Sequence, residues 1–482
     1  MTLGLLTNLH RFRYSYFMIS PSNPFKDLDR KSFFHPFSSL GIHEKTGAEI
    51  FVEGQGSTLT DSTGKKYLDA IAGLWCVNIG YGNEEMAHAI ADQAKKLAYY
   101  QTLTSYGTDI AAQYSARLIE LSPVPMSKVF FGSSGSDAND TMVKIVWSYQ
   151  NYLGKPNKKK IISRHHGYHG STIFAAGLTG FANLHNNFDL PLTRTLHTKS
   201  THPLWDKSET ADTAQFVADL AKDLEEMILA EGPETIGAFI AEPIMAGGGV
   251  LVPPAGYFEA IQSILNKYEI LFIADEVVTG FGRTGKMFGT QAFDLKPDLI
   301  TLAKGITSGY VPLSACLVSE KIWRVLVDGS ASAGAYGHGY TYSGHPLAMK
   351  AAMVNLDIIE RDNLLENVTD KGNKLLTQLK ARLKDHEFVG DIRGFGLLAA
   401  VEFVKKRSPL TPFELNSRVA ARVARKSFEN GLIVRPLSES STIAFSPTFV
   451  VTDSQINEIV DKFVSSVESV FDELQSEGLL NN

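Results

Sequence analysis

The sequence predicts an α/β protein in which a large domain with a mainly parallel sheet flanked by helices is joined to a smaller α+β domain. Three observations predict this fold. At 482 residues, the chain exceeds what a single hydrophobic core usually supports. Between about residues 87 and 317, helical patterns alternate with short apolar runs bounded by turn residues, which is typical of β-α units. After Pro346 the pattern is helical, then strand-like, and it ends in a long helix, as expected of a separate small domain.

The predicted strands of the large domain are apolar on both faces, as strands covered by helices on each side are. They occupy residues 129–131, 236–241, 271–274, 299–302 and 313–318. In residues 211–230, apolar side chains recur at every fourth position, which predicts an amphipathic helix.

Four segments are predicted along the chain. Residues 1–33 form an N-terminal extension, 34–75 an arm that joins the small domain, 76–335 the large domain and 336–482 the small domain. The first 26 residues contain no acidic side chain, a feature of transit peptides. We nevertheless prefer a disordered extension, or a true start at Met18, as the explanation.

The composition excludes several classes of protein. It is 44% hydrophobic and 20% charged, which is typical of a globular protein. The net charge of -6 gives no reason to expect nucleic acid or an anionic membrane as a partner. No apolar run approaches the ~18 residues of a membrane-spanning helix. The two cysteines, Cys76 and Cys316, suit a reducing compartment, so we expect a cytoplasmic protein that acts on small molecules.

A carboxylate ends one of the predicted core strands. The run 271–274 leads directly into Asp275, where an unpaired buried charge would cost several kcal/mol. We therefore expect a cation beside Asp275, and a protonated pyridine nitrogen is one such partner. A carboxylate that only caps the following loop explains Asp275 equally well.

A lysine ends the next predicted strand. Residues 299–302 lead into Ala303-Lys304-Gly305, which places the Lys304 amine at the carboxyl edge of the sheet, where ligands bind in open α/β folds. An amine partly removed from water there is a nucleophile for an aldehyde, and Gly305 is predicted to leave space for a bulky adduct. A surface lysine explains Lys304 alone equally well, but Lys304 and Asp275 are more specific together.

A serine- and glycine-rich turn is the third candidate element. Gly132-Ser133-Ser134-Gly135-Ser136-Asp137 follows the strand at 129–131 and precedes a helical run. Backbone N–H groups that open a helix bind phosphate, and the helix dipole contributes ~0.3 to 2 kcal/mol. The alternative is a turn that only caps the helix. It is not a Walker loop, because no Gly-Lys-Ser/Thr ends it.

One motif suggests a different cofactor. Gly280-Phe281-Gly282-Arg283-Thr284-Gly285 matches the G-x-G-x-x-G pattern of NAD-dependent dehydrogenases. Gly289 and Pro297 interrupt the helix that such a motif requires, so we predict a loop.

A second motif suggests a metal. His165 and His169 are four residues apart, as zinc ligands on a helix are. Gly167 and Gly170 disfavour that helix, so no metal is predicted.

Seven runs occur in an order that resembles the class III aminotransferases, and among them the ω-amine:pyruvate transaminases. The similarity extends from about residue 35 to the C-terminal helix. The runs are Gly73-Leu74-Trp75-Cys76, Ser134-Gly135-Ser136-Asp137-Ala138-Asn139-Asp140, Tyr168-His169-Gly170, Ala274-Asp275-Glu276-Val277, Gly282-Arg283-Thr284-Gly285, Ala303-Lys304-Gly305 and Thr341-Tyr342-Ser343-Gly344-His345-Pro346.

The resemblance implies the fold-type I architecture and pyridoxal 5′-phosphate as cofactor. It implies that Lys304 carries the cofactor and, once released from it, moves a proton as base and then as acid. It also implies that Asp275 pairs with the pyridine nitrogen and that Tyr168 and Val277 enclose the ring. The residues implied to hold the phosphate are Ser134, Gly135, Ser136 and, from the neighbouring subunit, Thr341. A homodimer, or a pair of such dimers, is therefore implied.

The resemblance also implies a substrate class. Trp75 and Tyr168 form the pocket, and Arg435 pairs with a substrate carboxylate through its bidentate fork. We therefore expect ping-pong transfer of an amino group from an amine or ω-amino acid to pyruvate. The alternative is a 2-oxoglutarate-dependent ornithine- or GABA-type aminotransferase. Leu103-Thr104 stand where several amine transaminases have paired Phe, which favours aliphatic over aryl amines.

Overall fold

The structure is a computed structural model that describes residues 24–202, 204–205, 212–414, 417–437 and 441–480. The chain divides into two compact units, one of residues 1–53 and 59–66 and the other of residues 54–58 and 67–482. The hypothesis that the chain starts at Met18 concerns residues that lie outside the described ranges. No helix in the described part of the chain is both long and apolar enough to span a membrane.

The secondary structure elements are numbered in chain order. The helices are α1 Pro24–Ser32, α2 Leu40–Thr46, α3 Ala72–Trp75, α4 Glu84–Leu97, α5 Asp109–Leu121, α6 Gly135–Tyr152, α7 Ile173–Leu178, α8 Ala182–His185, α9 Thr213–Glu231, α10 Tyr257–Lys267, α11 Gly289–Ala292, α12 Glu320–Ala333, α13 Pro346–Arg361, α14 Leu364–Leu383, α15 Val419–Glu429 and α16 Asp453–Ser476. The strands are β1 Phe51–Gln55, β2 Thr58–Asp61, β3 Lys66–Asp69, β4 Lys128–Gly132, β5 Lys160–Arg164, β6 Thr195–Thr198, β7 Ile236–Ala241, β8 Leu271–Asp275, β9 Leu299–Leu302, β10 Ser314–Val318, β11 Val389–Phe395, β12 Leu398–Phe403, β13 Lys406–Arg407, β14 Leu410–Thr411, β15 Leu432–Ile433, β16 Arg435–Leu437 and β17 Thr442–Phe445.

The smaller unit contains a helix where the sequence analysis expects disorder. Residues 24–32 form α1, with Asp27 in its first turn and basic side chains in its last turn, which suits the helix dipole. Arg30 also donates to Asp27 over 3.0 Å. After α1, the Nε2 atom of His35 lies 2.8 Å from both carboxylate oxygens of Asp29, a residue of α1.

The larger unit is built on a seven-stranded sheet with the order β4-β10-β9-β8-β7-β5-β6. The pairs from β9 to β6 are parallel, whereas β10 is antiparallel to both β9 and β4. In β7, Ala238 and Ile240 pack in the core beneath α6, and Phe239 packs in the core beneath α9 and α10. Helices on both faces explain why the predicted strands are apolar throughout.

The C-terminal part contains a four-stranded sheet with the order β11-β12-β17-β16. The long helices α13, α14 and α16 share one hydrophobic core with it. Strand β15 pairs in parallel with β3, with Leu432 opposite Leu68. The predicted α/β class, with a mainly parallel sheet and further smaller domain structure, is confirmed.

Candidate active site

A cavity of about 300 Å³ opens at the carboxyl edge of the central sheet, where β8 and β9 end. This is the position that open α/β sheets use for ligands. Seven of the residues singled out from the sequence line it: Ser134, Gly135, Ser136, Tyr168, Asp275, Val277 and Lys304. The structure therefore brings together residues from four separate segments of the chain.

Asp275 is the last residue of β8 and is 2% exposed. Its Oδ2 atom accepts hydrogen bonds from Asn139 Nδ2 and from His169 Nδ1, each over 2.8 Å. Its Oδ1 atom accepts from the backbone N–H of Val277 over 3.1 Å. Because the carboxylate can only accept, His169 carries a proton on Nδ1. These three donors fix the orientation of Asp275 toward the cavity that it lines.

Lys304 follows β9 and has a positive φ of 46°, a conformation that costs energy for a residue with a side chain. The backbone strain turns the chain sharply at the cavity. The sequence analysis expects Gly305 to leave space for an adduct, and this expectation is wrong. A Cβ atom at Gly305 would lie 2.5 Å from Asn78 Nδ2, so the glycine is required by close packing against Asn78.

The turn between β4 and α6 is held in place by its own side chains. Ser134 caps α6, and its Oγ accepts from the Asp137 N–H over 3.1 Å. The Asp137 carboxylate accepts from the N–H groups of Ser133 and Ser134 at 2.9 and 3.1 Å. The N–H groups of the next residues, which open α6, have no partner within the helix. They are suited to an anion in the cavity.

Tyr168 is positioned by a buried carboxyl group that follows β7. Glu242 is 4% exposed, and its two oxygens accept from the N–H groups of Tyr168 at 2.9 Å and Ala246 at 3.2 Å. Burial raises the pKa of Glu242 to about 7. The turn between β4 and α6 packs closely against Val277. A Cβ atom at Gly135 would lie 3.1 Å from a methyl group of Val277.

Three predicted site residues do not line the cavity. Trp75 is 7% exposed and packs in a hydrophobic cluster, although its neighbour Cys76 reaches the cavity. Thr341 is exposed, and its carbonyl accepts from Tyr99 over 2.7 Å. Arg435 is exposed on β16, and its guanidinium has no hydrogen-bond or ion-pair partner among the described residues. The roles assigned to these three residues stay predictions.

The motif at 280–285 forms a loop, and its arginine is a structural residue. Arg283 is fully buried, donates to Asn78 Oδ1 over 2.7 Å and to the Pro447 carbonyl, and lies over the Phe449 ring. Burial lowers its pKa to about 9. A loop filled in this way offers no dinucleotide site.

The two histidines considered as metal ligands have separate environments. The ring of His165 stacks on His197 at 5.6 Å, whereas His169 is bonded to Asp275. They do not form a group of ligands among the described residues.

The sequence analysis assigned no cofactor-site role to three residues that shape the site, although Asn139 and His169 lie in the runs that carry the resemblance. Asn139 is fully buried, and besides Asp275 it bonds the His169 carbonyl over 2.7 Å and the Thr301 hydroxyl over 2.8 Å. His169 and Glu242 are the others. Asn139 lies four residues, about one helical turn, after Gly135, so it is on the same face of α6. This spacing could have indicated from the sequence that Asn139 faces the site. Nothing local in the sequence indicates Glu242.

Comparisons with known proteins agree with this geometry. The family profile described as "Aminotransferase class-III" matches residues 43–467. The diaminobutyrate–2-oxoglutarate transaminase of Halomonas elongata is 43% identical over 458 residues, which is 94% of this chain and 98% of that protein. The mitochondrial gamma aminobutyrate transaminase 1 of Solanum lycopersicum is 41% identical over 475 residues, 96% of this chain and 92% of that protein. The omega transaminase from Pseudomonas jessenii, solved in complex with PMP, is 41% identical with a TM-score of 0.92, covering 94% of this chain and 99% of that structure.

Proposed function

The chain belongs to the class III aminotransferases, enzymes that use pyridoxal 5′-phosphate, and we propose that it transfers amino groups from an amine or ω-amino acid to pyruvate. The observation that carries this proposal is the Arg435 guanidinium, which has no hydrogen-bond or ion-pair partner among the described residues and interacts electrostatically with Tyr168 of the cavity. The reaction proceeds in two halves at one site: the donor leaves its amino group on the enzyme and departs as the carbonyl product before the acceptor binds.

The residues around the cavity fit the cofactor. The buried carboxylate of Asp275 suits the protonated ring nitrogen, and Tyr168 and Val277 border the space where the ring would lie. Gly135 and Ser136 open α6, where N–H groups and the helix dipole favour a phosphate. When bound, the cofactor supplies an aldehyde that takes the amino group and a ring that withdraws electrons from the reacting carbon.

The protein contributes binding and proton transfer. Lys304 Nζ would hold the cofactor covalently, and once the amine substrate has displaced it, the free Nζ would remove the proton from the substrate carbon. The same Nζ would return the proton at the aldehyde-derived carbon of the cofactor, on the other side of the shared nitrogen, and so would act as base and then as acid. The negative charge of Asp275, held in place by Asn139 and His169, would keep the ring nitrogen protonated throughout.

The acceptor is inferred from the charges near the cavity. Among the described residues that line it, Lys304 is the sole lysine or arginine. Arg435 adds one guanidinium outside it, which suits a substrate with one carboxylate, such as pyruvate. Because no carboxylate among the described residues holds Arg435, its side chain can move away when an uncharged amine occupies the same space.

The second candidate is a 2-oxoglutarate-dependent enzyme. The diaminobutyrate–2-oxoglutarate and gamma aminobutyrate transaminases named above are as similar to this chain as the omega transaminase is. A dicarboxylate acceptor needs a second cation, and the described cavity-lining residues do not supply one. This charge argument favours pyruvate.

A homodimer is part of the proposal. Next to Thr341, the side chains of Tyr99 and Tyr342 are exposed, the latter with 60% of its surface accessible, and Leu103 and Tyr106 are exposed as well. Tyr99 and Tyr342 are in edge contact at 5.7 Å. An exposed aromatic patch of this kind is typical of an interface. In the proposed dimer, Thr341 of one subunit reaches the cofactor phosphate of the other, as the resemblance to the class III aminotransferases implies.

The proposed function is tested by the visible absorption of the purified protein loaded with pyridoxal 5′-phosphate. We expect the band of the bound cofactor to disappear with an aliphatic amine and to return with pyruvate. Return with 2-oxoglutarate alone would contradict the pyruvate assignment. An absorption that never changes with any amine would contradict the amine-donor class.

A further inference from the structure

His338 lies in the segment 334–345, which connects α12 to α13 and contains Thr341. Its ring stacks on Phe130 at 5.1 Å and 5°, and its two nitrogens are both engaged. Nδ1 lies 2.9 Å from Lys144 Nζ, and Nε2 lies 2.9 Å from Thr141 Oγ1. An ammonium group only donates, so Nδ1 must accept and the proton of the neutral ring is on Nε2. His338 thus ties the connecting segment to α6.

These bonds continue into the first turn of α6. Thr141 donates its hydroxyl proton to the Asp137 carbonyl over 2.8 Å, and Tyr340, two residues after His338, donates to the same carbonyl over 3.1 Å. The Asp137 side chain orders the N–H groups of Ser133 and Ser134. Asp137 of α6 is therefore bonded both to the turn between β4 and α6 and to the segment that carries Thr341.

We infer that His338 is a positioning residue for the cofactor site of the other subunit, because it fixes the segment that presents Thr341 there. The inference rests on the proposed function, in which Thr341 reaches the phosphate across the dimer interface. Removing both ring nitrogens frees one end of the segment, while the bonds within the turn at Ser134 stay in place. The effect should appear in the neighbouring site and not in the subunit that carries the change.

Mixed dimers with two different affinity tags test this inference. Lys304→Ala leaves one site unable to hold the cofactor covalently. The visible band of the covalently bound cofactor then reports only the other site. In the first arrangement, one subunit carries both Lys304→Ala and His338→Phe, and its partner is unchanged. In the second, one subunit carries Lys304→Ala and the other carries His338→Phe. The reference is a dimer with Lys304→Ala alone in one subunit.

The readout is the pyridoxal 5′-phosphate concentration that half-saturates the band. We expect it to rise about tenfold in the first arrangement, since a lost hydrogen bond or two changes affinity by roughly that factor. We expect the second arrangement to match the reference. His338→Gln, which keeps one donor and one acceptor, should show a smaller rise and serves if His338→Phe does not fold.

The remaining outcomes overturn the inference. A rise only in the second arrangement would show that His338 acts on its own subunit's site, and an equal rise in both would show that it acts on both sites without the inferred selectivity. No rise in either would show that it has no positioning role. A wild-type chain that sediments as a monomer, or a reference dimer without the band, would contradict the proposed function itself and is thereby distinguishable.

Discussion

Replacing Glu242 with glutamine should change how the stability of the protein depends on pH. The folded protein holds this carboxyl with a pKa of about 7, raised by burial from the usual 4.5. Below pH 4.5 the group is protonated in both the folded and the unfolded chain. Between the two values only the folded chain keeps the proton, so the free energy of unfolding falls as the pH rises. Above about pH 7 the group is ionised in both states and the loss is complete.

The size of this effect follows from the pKa difference. Each pKa unit corresponds to about 1.4 kcal/mol, so ionisation of Glu242 lowers the free energy of unfolding by roughly 3 kcal/mol. Glutamine does not ionise and lacks this slope. It also cannot accept both backbone N–H groups that Glu242 accepts, from Tyr168 and Ala246, which costs about 1 to 3 kcal/mol independently of pH.

The assay is equilibrium unfolding by urea at several pH values between about 4.5 and 8. We expect the difference between Glu242→Gln and the unchanged protein to move by roughly 3 kcal/mol in favour of the variant across this range. Glu259→Gln, at an exposed position on α10, is the matched control and should leave the pH dependence unchanged. A Glu242→Gln difference that is constant with pH would refute the argument that Glu242 is held protonated by burial.

Three further substitutions test the site. Lys304→Ala should lower kcat by about 10²-fold to 10⁴-fold or more while cofactor binding persists, and retained transamination would contradict its role. Arg435→Leu should raise KM for pyruvate by roughly 10- to 100-fold and leave the half-reaction with an uncharged amine unchanged in single-turnover experiments; equal loss in both would contradict carboxylate pairing. Asn139→Leu should lower the free energy of unfolding by roughly 2 to 5 kcal/mol and accelerate cofactor loss on dialysis, because the Thr301 hydroxyl and His169 carbonyl lose their partner. Unchanged urea unfolding would show that these bonds contribute little.

The sequence predicts the strands of the central sheet well because burial on both faces leaves an uninterrupted apolar run. The predicted runs 236–241 and 299–302 coincide with β7 and β9. The direction of β10 was not predictable in the same way. The run 313–318 predicts a strand there, but its antiparallel pairing with β9 depends on the path of the connection after Lys304, which has no periodic signal.

The site residues also differ in whether a local sequence pattern indicates them. Asp275 and Lys304 were predictable because each ends an apolar strand with a charge, a local contrast that sequence shows directly. Their adjacency follows from the parallel pairing of β8 and β9. Asn139 and His169 were not predictable in their roles, since each bonds Asp275 only after α6 and the loop following β5 pack across the sheet. Such long-range contacts carry no local pattern.

The choice of partners around Asp275 bears on what the site can bind. The amide of Asn139 and the backbone N–H of Val277 orient the carboxylate but carry no charge, so they do not neutralise it. A lysine or arginine in either place would form an ion pair and weaken the attraction for a cationic ring nitrogen. A buried carboxylate that these two neutral donors hold in place, together with His169 Nδ1, remains available to a charged ligand. That arrangement, together with the amine of Lys304 in the same cavity, is what favours a pyridine cofactor over a loop-capping role for Asp275.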